Sequence, residues 1–172
     1  MLRECTKDVR QVKTWRSLGD EYEAFEEEIS DILKSLSEIG VNVYIGDDKY
    51  FAFNTRGLYS VKGNDMFLNE RYLSNPTMMV KVLRHEGWHI AQDCMAGTID
   101  NTFTGVILQD GVVPDWIANG AEKTYPQRAV PYEAEAMYAA FSDSMTRDAL
   151  KVCAGPKKMW EVYKPTPLTK KW

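Results

Sequence analysis

The chain has 172 residues, enough for one globular domain with a buried core. Its 44% hydrophobic and 27% charged residues argue against both disorder and a membrane-spanning protein. A formal charge of -4 and a pI near 5.3 give no general electrostatic reason to bind nucleic acid, so neither nucleic acid nor a membrane is an expected partner.

Residues 1–16 mix charge with Val9, Val12 and Trp15 and read as a short helix or an ordered arm. From Asp20 onward, Tyr22, Phe25, Ile29, Ile32, Leu33, Leu36 and Ile39 recur at three- and four-residue spacing, and Gly40 follows as a stop. This predicts an amphipathic helix, with the acidic run Glu26, Glu27 and Glu28 on its solvated face. Between Val41 and Asn69 the period falls to two, over 41–45, 50–53, 58–61 and 66–68, with turn residues between the runs. The expectation is a small, largely antiparallel sheet of about four strands. Asn75-Pro76 then forms a cap-and-first-turn pair, and an apolar-periodic stretch runs on to Gly97 as a helix.

Residues 98–130 are irregular, with one short helix expected over 114–123, and a loop-rich segment of this length covers a site or walls it. Pro131 restarts a helix that should continue to about Cys153, where Gly155-Pro156 ends it, and a brief turn is expected over 159–163. Residues 164–172 hold two prolines and three lysines and read as an extended tail, available for contact with a protein partner. The division expected is one domain over 1–163 with the tail beyond it.

The first thirty residues contain no apolar core of signal-peptide length, and no later stretch approaches the apolar run of about 20 residues that spans a bilayer. The expected location is therefore the cytoplasm or another intracellular compartment. Three cysteines, Cys5, Cys94 and Cys153, are too few and odd in number for a disulfide scaffold. Buried, reduced thiols are the favoured reading over a Cys94–Cys153 bridge.

The segment Arg84-His85-Glu86-Gly87-Trp88-His89 contains His-Glu-x-x-His within the expected helix, which puts both imidazoles on one face, one turn apart, as a tetrahedral metal requires. Glu86 projects beside them, within reach of a water on the metal without itself being a ligand. These are the only two histidines in the chain. Shuffling the composition would produce this pattern on the order of once in a thousand sequences, so chance is a poor explanation. Gly87 suits either a close backbone or substrate approach or a tolerated helix glycine. Trp88 reads as core, and Asp93 as either a hydrogen-bond partner for a ligand imidazole or a surface aspartate.

A catalytic zinc needs a third protein ligand and an open position. With no third histidine, and Cys94 too far along the same helix, the candidates are Glu133 and Glu135. They lie about 200 degrees apart on a helix, so only one can face the metal. Glu133 shares its side with Ala136, Met137, Ala140 and Phe141, whereas Glu135 shares its side with Ser142, Asp143 and Thr146. The apolar side faces the core, which favours Glu133 as ligand and leaves Glu135 as a surface charge.

With His-Glu-x-x-His on one helix and Glu133-x-x-Ala136 near the start of a later one, the chain resembles the compact gluzincin metallopeptidases, including ImmA-like and CAAX-prenyl-protease-like enzymes in their minimal soluble form. The resemblance covers 41 to about 150. It implies an α+β, zincin-like fold: a small antiparallel sheet packed on the motif helix and the glutamate-bearing helix. It also implies Glu133 as third zinc ligand, in agreement with the helix-face argument. Many such proteins carry Asn or Asp where this chain has Met137. The implied activity is zinc-dependent endopeptidase hydrolysis of peptide or protein substrates, with Glu86 handling the proton. Tyr125, Arg128, Tyr132 and Tyr138 are candidates to steady the oxyanion, and the strand near 66–68 is, by analogy, the place for an extended substrate. Two other readings stand beside it. One is a catalytically retired zinc-binding structural or interaction module; the other, ranked last, is a deformylase or amidase, which would require a cysteine ligand from an upstream strand.

Overall fold

Asn75 caps the helix that carries the motif: its Oδ1 accepts from the Met78 backbone N–H at 3.1 Å, and Pro76 occupies the first turn. That helix lies at the centre of a computed structural model in which residues 8–172 are described; Cys5 lies outside them. In chain order the elements are β1 (Val9–Gln11), α1 (Glu26–Ile39), β2 (Asn42–Gly46), β3 (Gly57–Ser60), β4 (Asp65–Asn69), α2 (Pro76–Cys94), β5 (Phe103–Gly105), α3 (Asp115–Thr124), α4 (Val130–Ala139), α5 (Met145–Ala154), α6 (Met159–Val162) and β6 (Leu168–Lys170). The class is α+β.

The sheet is mixed rather than largely antiparallel. Its order is β1-β2-β4-β3, with β2 and β4 parallel and the other two pairs antiparallel. The fourth strand is β1, from the arm, while the run 50–53 is not a strand. Asp47 accepts from the Lys49 backbone N–H at 3.0 Å and turns 48–50 into a single 3-10 turn, leaving Phe53 90% exposed. β4 sits between two neighbours and is buried along its whole length. The edge nearest α2 is therefore β3, and 66–68, the expected place for a substrate, lies inside the sheet.

α1 starts later than its apolar period suggests, because 20–25 forms a 3-10 segment; Gly40, with φ of 97°, closes it. The single helix expected from Pro131 to Cys153 is two helices, α4 and α5. Ser142 Oγ accepts from the Ser144 and Met145 backbone N–H groups, at 3.3 and 3.2 Å, and this local bonding breaks the helical ladder.

α2 is gripped by α4 and α5 and by β3, β4 and β5. Gly87 is where α5 comes close: a Cβ there would lie 2.7 Å from Thr146 Cγ2 and 3.3 Å from Leu150 Cδ1. The same packing brings Cys94 and Cys153 together as a disulfide, with their Cα atoms 5.8 Å apart. This overturns the expectation of reduced thiols. No helix among the described residues is long and apolar enough to cross a membrane.

Residues 164–172 do not hang free. β6 pairs antiparallel with β5, and Thr166 Oγ1 donates to the Val106 carbonyl. The pairing carries Lys171 and Trp172 back to the centre of the molecule.

Candidate metal centre

The site is built outward from the rotation of α2. Arg84, one position before the first histidine, makes a two-pronged bond to Glu28 on α1: Nε to Oε1 at 2.6 Å and NH2 to Oε2 at 2.8 Å. Its NH1 donates to the Ala140 carbonyl at 3.2 Å, and its own carbonyl accepts from Thr146 Oγ1 at 2.8 Å. Three helices thus fix the angle at which α2 presents its next residue. Glu28 is buried, so the acidic run on α1 is not wholly solvated.

With that rotation set, His85 and His89 point the same way, their ring centroids 4.9 Å apart. Glu133, at the start of α4, meets both. The His85 Nε2 to Glu133 Oε2 distance is 3.2 Å, His89 Nε2 to Glu133 Oε2 is 3.5 Å, and the two Nε2 atoms are 3.2 Å apart. These three side chains form a group that could hold a metal ion. Burial works against charge on Glu133, but hydrogen bonds to His85 and His89 outweigh it and hold its pKa at about 2. Burial likewise opposes charge on His89. The Glu133 hydrogen bond and the negative charges of Glu86 and Glu133 nevertheless raise it to about 9.

Behind His89 stands Gln92, one turn along the same helix. The Gln92 amide nitrogen donates to Glu135 Oε2 at 2.9 Å and to the Tyr132 carbonyl at 3.1 Å. Both partners are acceptors, so its Oε1 must be the atom facing His89 Nδ1 at 2.9 Å. Nδ1 therefore carries a proton in every state, and in the neutral imidazole it is the Nε2 lone pair that is directed at the group's centre.

Glu135 is not a surface charge. It is 3% exposed and accepts from Trp88 Nε1, Gln92 Nε2 and the backbone N–H groups of Ile107 and Leu108. Burial pushes its pKa up, against the pull of these donors. The expected burial of the two carboxylates is thus reversed: Glu133 opens onto the cleft, while Glu135 is the buried one.

Asp93 is neither surface nor a partner of His89. It is 3% exposed and binds Lys171 Nζ at 3.0 Å and the Tyr59 phenol at 3.0 Å. Burial pushes the Asp93 carboxyl up, with Lys171 the first group opposing it; burial and then Asp93 push the Tyr59 phenol up in turn.

Glu86 faces the same cleft, of about 750 Å³, as the two histidines and Glu133. Its Oε2 accepts from the Tyr59 backbone N–H on β3 at 3.0 Å. Gly57 makes this approach possible, since a Cβ there would sit 2.5 Å from Val82 Cγ1 and 3.1 Å from Glu86 Cγ. Of the four oxyanion candidates, Tyr125 and Tyr132 line the cleft. Tyr125 also hydrogen-bonds Glu133; burial first, then the charges of Glu133 and Glu86, push its phenol up to about 12. Arg128 instead lies over the Trp172 ring, 5.7 Å from its centroid. Trp88 is core, as expected.

Sequence reasoning did not single out Gln92, Tyr59 or Arg84. Only Gln92 left a signal, its three-residue spacing from His89. The chain matches no protein-family model, no curated protein and no solved structure.

Proposed function

We propose that the protein is a zinc-dependent metallopeptidase of the gluzincin type, with His85, His89 and Glu133 as ligands and Glu86 as general base. The observation that carries this reading is the triangle of ligand atoms, with sides of 3.2, 3.2 and 3.5 Å. Donors about 2.05 Å from a common ion at the tetrahedral angle stand about 3.3 Å apart, so the three atoms fit one face of a zinc tetrahedron. All three side chains line the cleft, so a zinc ion held by them would be accessible from it, as a catalytic rather than a closed structural ion would be.

Zinc, when bound, supplies Lewis acidity and a lowered pKa for water. The chain's own groups do the rest. Gln92 orients His89, and Glu133 offers an anionic oxygen. The Tyr59 N–H fixes one oxygen of Glu86, which leaves the other to take a proton from the attacking water and pass it to the leaving amine. Tyr125, whose phenol keeps its proton at neutral pH, is the best placed of the four candidates to donate to the developing oxyanion. An extended substrate would lie along β3, the edge strand beside Glu86, with peptide bonds the expected target.

The competing reading, a zinc-binding module without turnover, draws on Met137, which lines the cleft where related enzymes carry Asn or Asp. Among the described residues no cysteine is free to serve as a deformylase-like ligand, because Cys94 and Cys153 are joined to each other. Metal analysis and proteome-derived peptide libraries separate these readings. About one zinc per chain is expected, and Glu86→Gln should keep the zinc while losing about 10²- to 10⁴-fold in cleavage rate. A parent protein that binds zinc and cleaves nothing would establish the module; a protein without stoichiometric zinc would remove both.

A further inference from the structure

Tyr59 holds α2 at two points. Its backbone N–H donates to Glu86 Oε2 at 3.0 Å and its phenol donates to Asp93 Oδ2 at 3.0 Å. Glu86 and Asp93 are seven residues apart, two turns along one face and about 10.5 Å along the axis. Tyr59 therefore lies against the helix as a strut, and the place of its far end bears on the place of its near end. That far end rests on a buried carboxylate whose cationic partner, Lys171, directly follows β6. Lys171 Nζ lies 3.0 Å from Asp93 Oδ2 and also donates to the Ile99 carbonyl at 2.7 Å. Its backbone N–H donates to the Thr102 carbonyl at 2.8 Å, continuing the β5–β6 ladder. Thr104, on β5, bonds the same carboxylate. Asp93 thus joins the motif helix, the edge strand and the segment 164–172.

We propose that Lys171 is a positioning residue for Glu86, acting through Asp93 and Tyr59. With Lys171 in place, Asp93 has a cationic partner and accepts the Tyr59 phenol, which holds β3 down on α2 and its amide on Glu86. Without the ammonium, Asp93 is a buried carboxylate short of a countercharge. It then protonates or turns toward solvent, and either change releases the strut. The consequence for catalysis rests on the peptidase reading above; the consequence for the Tyr59 amide does not.

The test uses the full chain, parent and variants, loaded with zinc. Lys171→Met should move the Tyr59 amide resonance in ¹H–¹⁵N spectra and speed its hydrogen exchange, with zinc still at one per chain. Turnover should fall about 10- to 100-fold, the range seen when a residue behind a site is lost, with KM little changed. Lys171→Arg, which keeps the charge, should restore the amide signal and most of the turnover. Should Lys171→Met fail to fold, Lys171→Gln, which removes the charge but keeps a donor for the Ile99 carbonyl, is read in the same way. A Tyr59 amide that neither shifts nor exchanges faster in a folded variant lacking the Lys171 charge overturns the proposal. If the amide responds and the parent cleaves no peptide, the positioning of Glu86 stands and the peptidase reading falls.

Discussion

A single 2.9 Å hydrogen bond between Gln92 and Glu135 decides which nitrogen of His89 keeps its proton when the imidazole is neutral. Because the Gln92 amide nitrogen is committed to that carboxylate, its oxygen is left to accept from His89 Nδ1. Replacing Gln92 with Leu removes the acceptor and frees the imidazole to turn or to protonate Nε2. Zinc affinity should then fall about 10- to 100-fold, as measured by competition with a chromophoric chelator. Unchanged affinity would mean that the imidazole is oriented without Gln92.

The affinity should also depend on pH with a definite sign. His89 is held at about 9 in the metal-free protein, so below that value it carries a proton that an incoming cation must displace. Glu133, held at about 2, is ionised throughout the usable range and contributes no competing proton. Affinity should therefore rise about tenfold per pH unit between pH 6 and 8, with about one proton released per ion, measured by calorimetry in buffers of different ionisation enthalpy. The metal-free fold should respond in the opposite sense. A folded pKa above the unfolded value stabilises fully below the unfolded pKa of about 6.5, and that contribution is lost as pH rises through about 9. The melting temperature of the metal-free protein should accordingly fall across that interval.

Gly87→Ala sets helix propensity against packing. Alanine would favour the helix by about 1 kcal/mol at an open position. Here its Cβ meets Thr146 Cγ2 at 2.7 Å, and Thr146 cannot swing aside without losing its bond to the Arg84 carbonyl. Packing prevails, and denaturant titration should show a net loss of about 1–3 kcal/mol. A stabilised variant would show that α5 can yield.

The Cys94–Cys153 bridge closes a loop with a sequence separation of 59, for which chain entropy gives a stabilisation of about 4 kcal/mol. Reduction, or paired replacement of both cysteines by Ala, should lower the denaturation midpoint accordingly. Mass analysis without reductant should find the two thiols blocked to alkylation. Free thiols in folded protein from an oxidising preparation would count against the bridge.

The helical period and the cap at Asn75 were legible, and so was the His-Glu-x-x-His spacing, because each depends on neighbours within a few residues. Glu133 is the carboxylate that meets both histidines, whereas Glu135, expected as a surface charge, is buried. The helical wheel assumes one wet side, whereas α4 is packed by α2 and α3 and capped by the backbone at 107–108, so its second side is also closed. The parallel β2–β4 pair and the three-residue β1 depend on partners distant in sequence, which alternation cannot name. The same holds for Cys94 with Cys153, since spacing does not give connectivity. The run at 50–53 looked like a strand because its turn chemistry lies just before it, in Asp47.

The short ladder between 103–105 and 168–170 makes one wall of the cleft depend on residues made well after the motif helix. Both imidazoles and the bases around them emerge from the ribosome well before Lys171 and Trp172, and closing so long a loop is slow relative to winding a helix. A nascent chain can therefore fold its motif helix while one wall of the cleft is still unmade. That order of assembly leaves the cleft open on one side until residues 168–172 have been made.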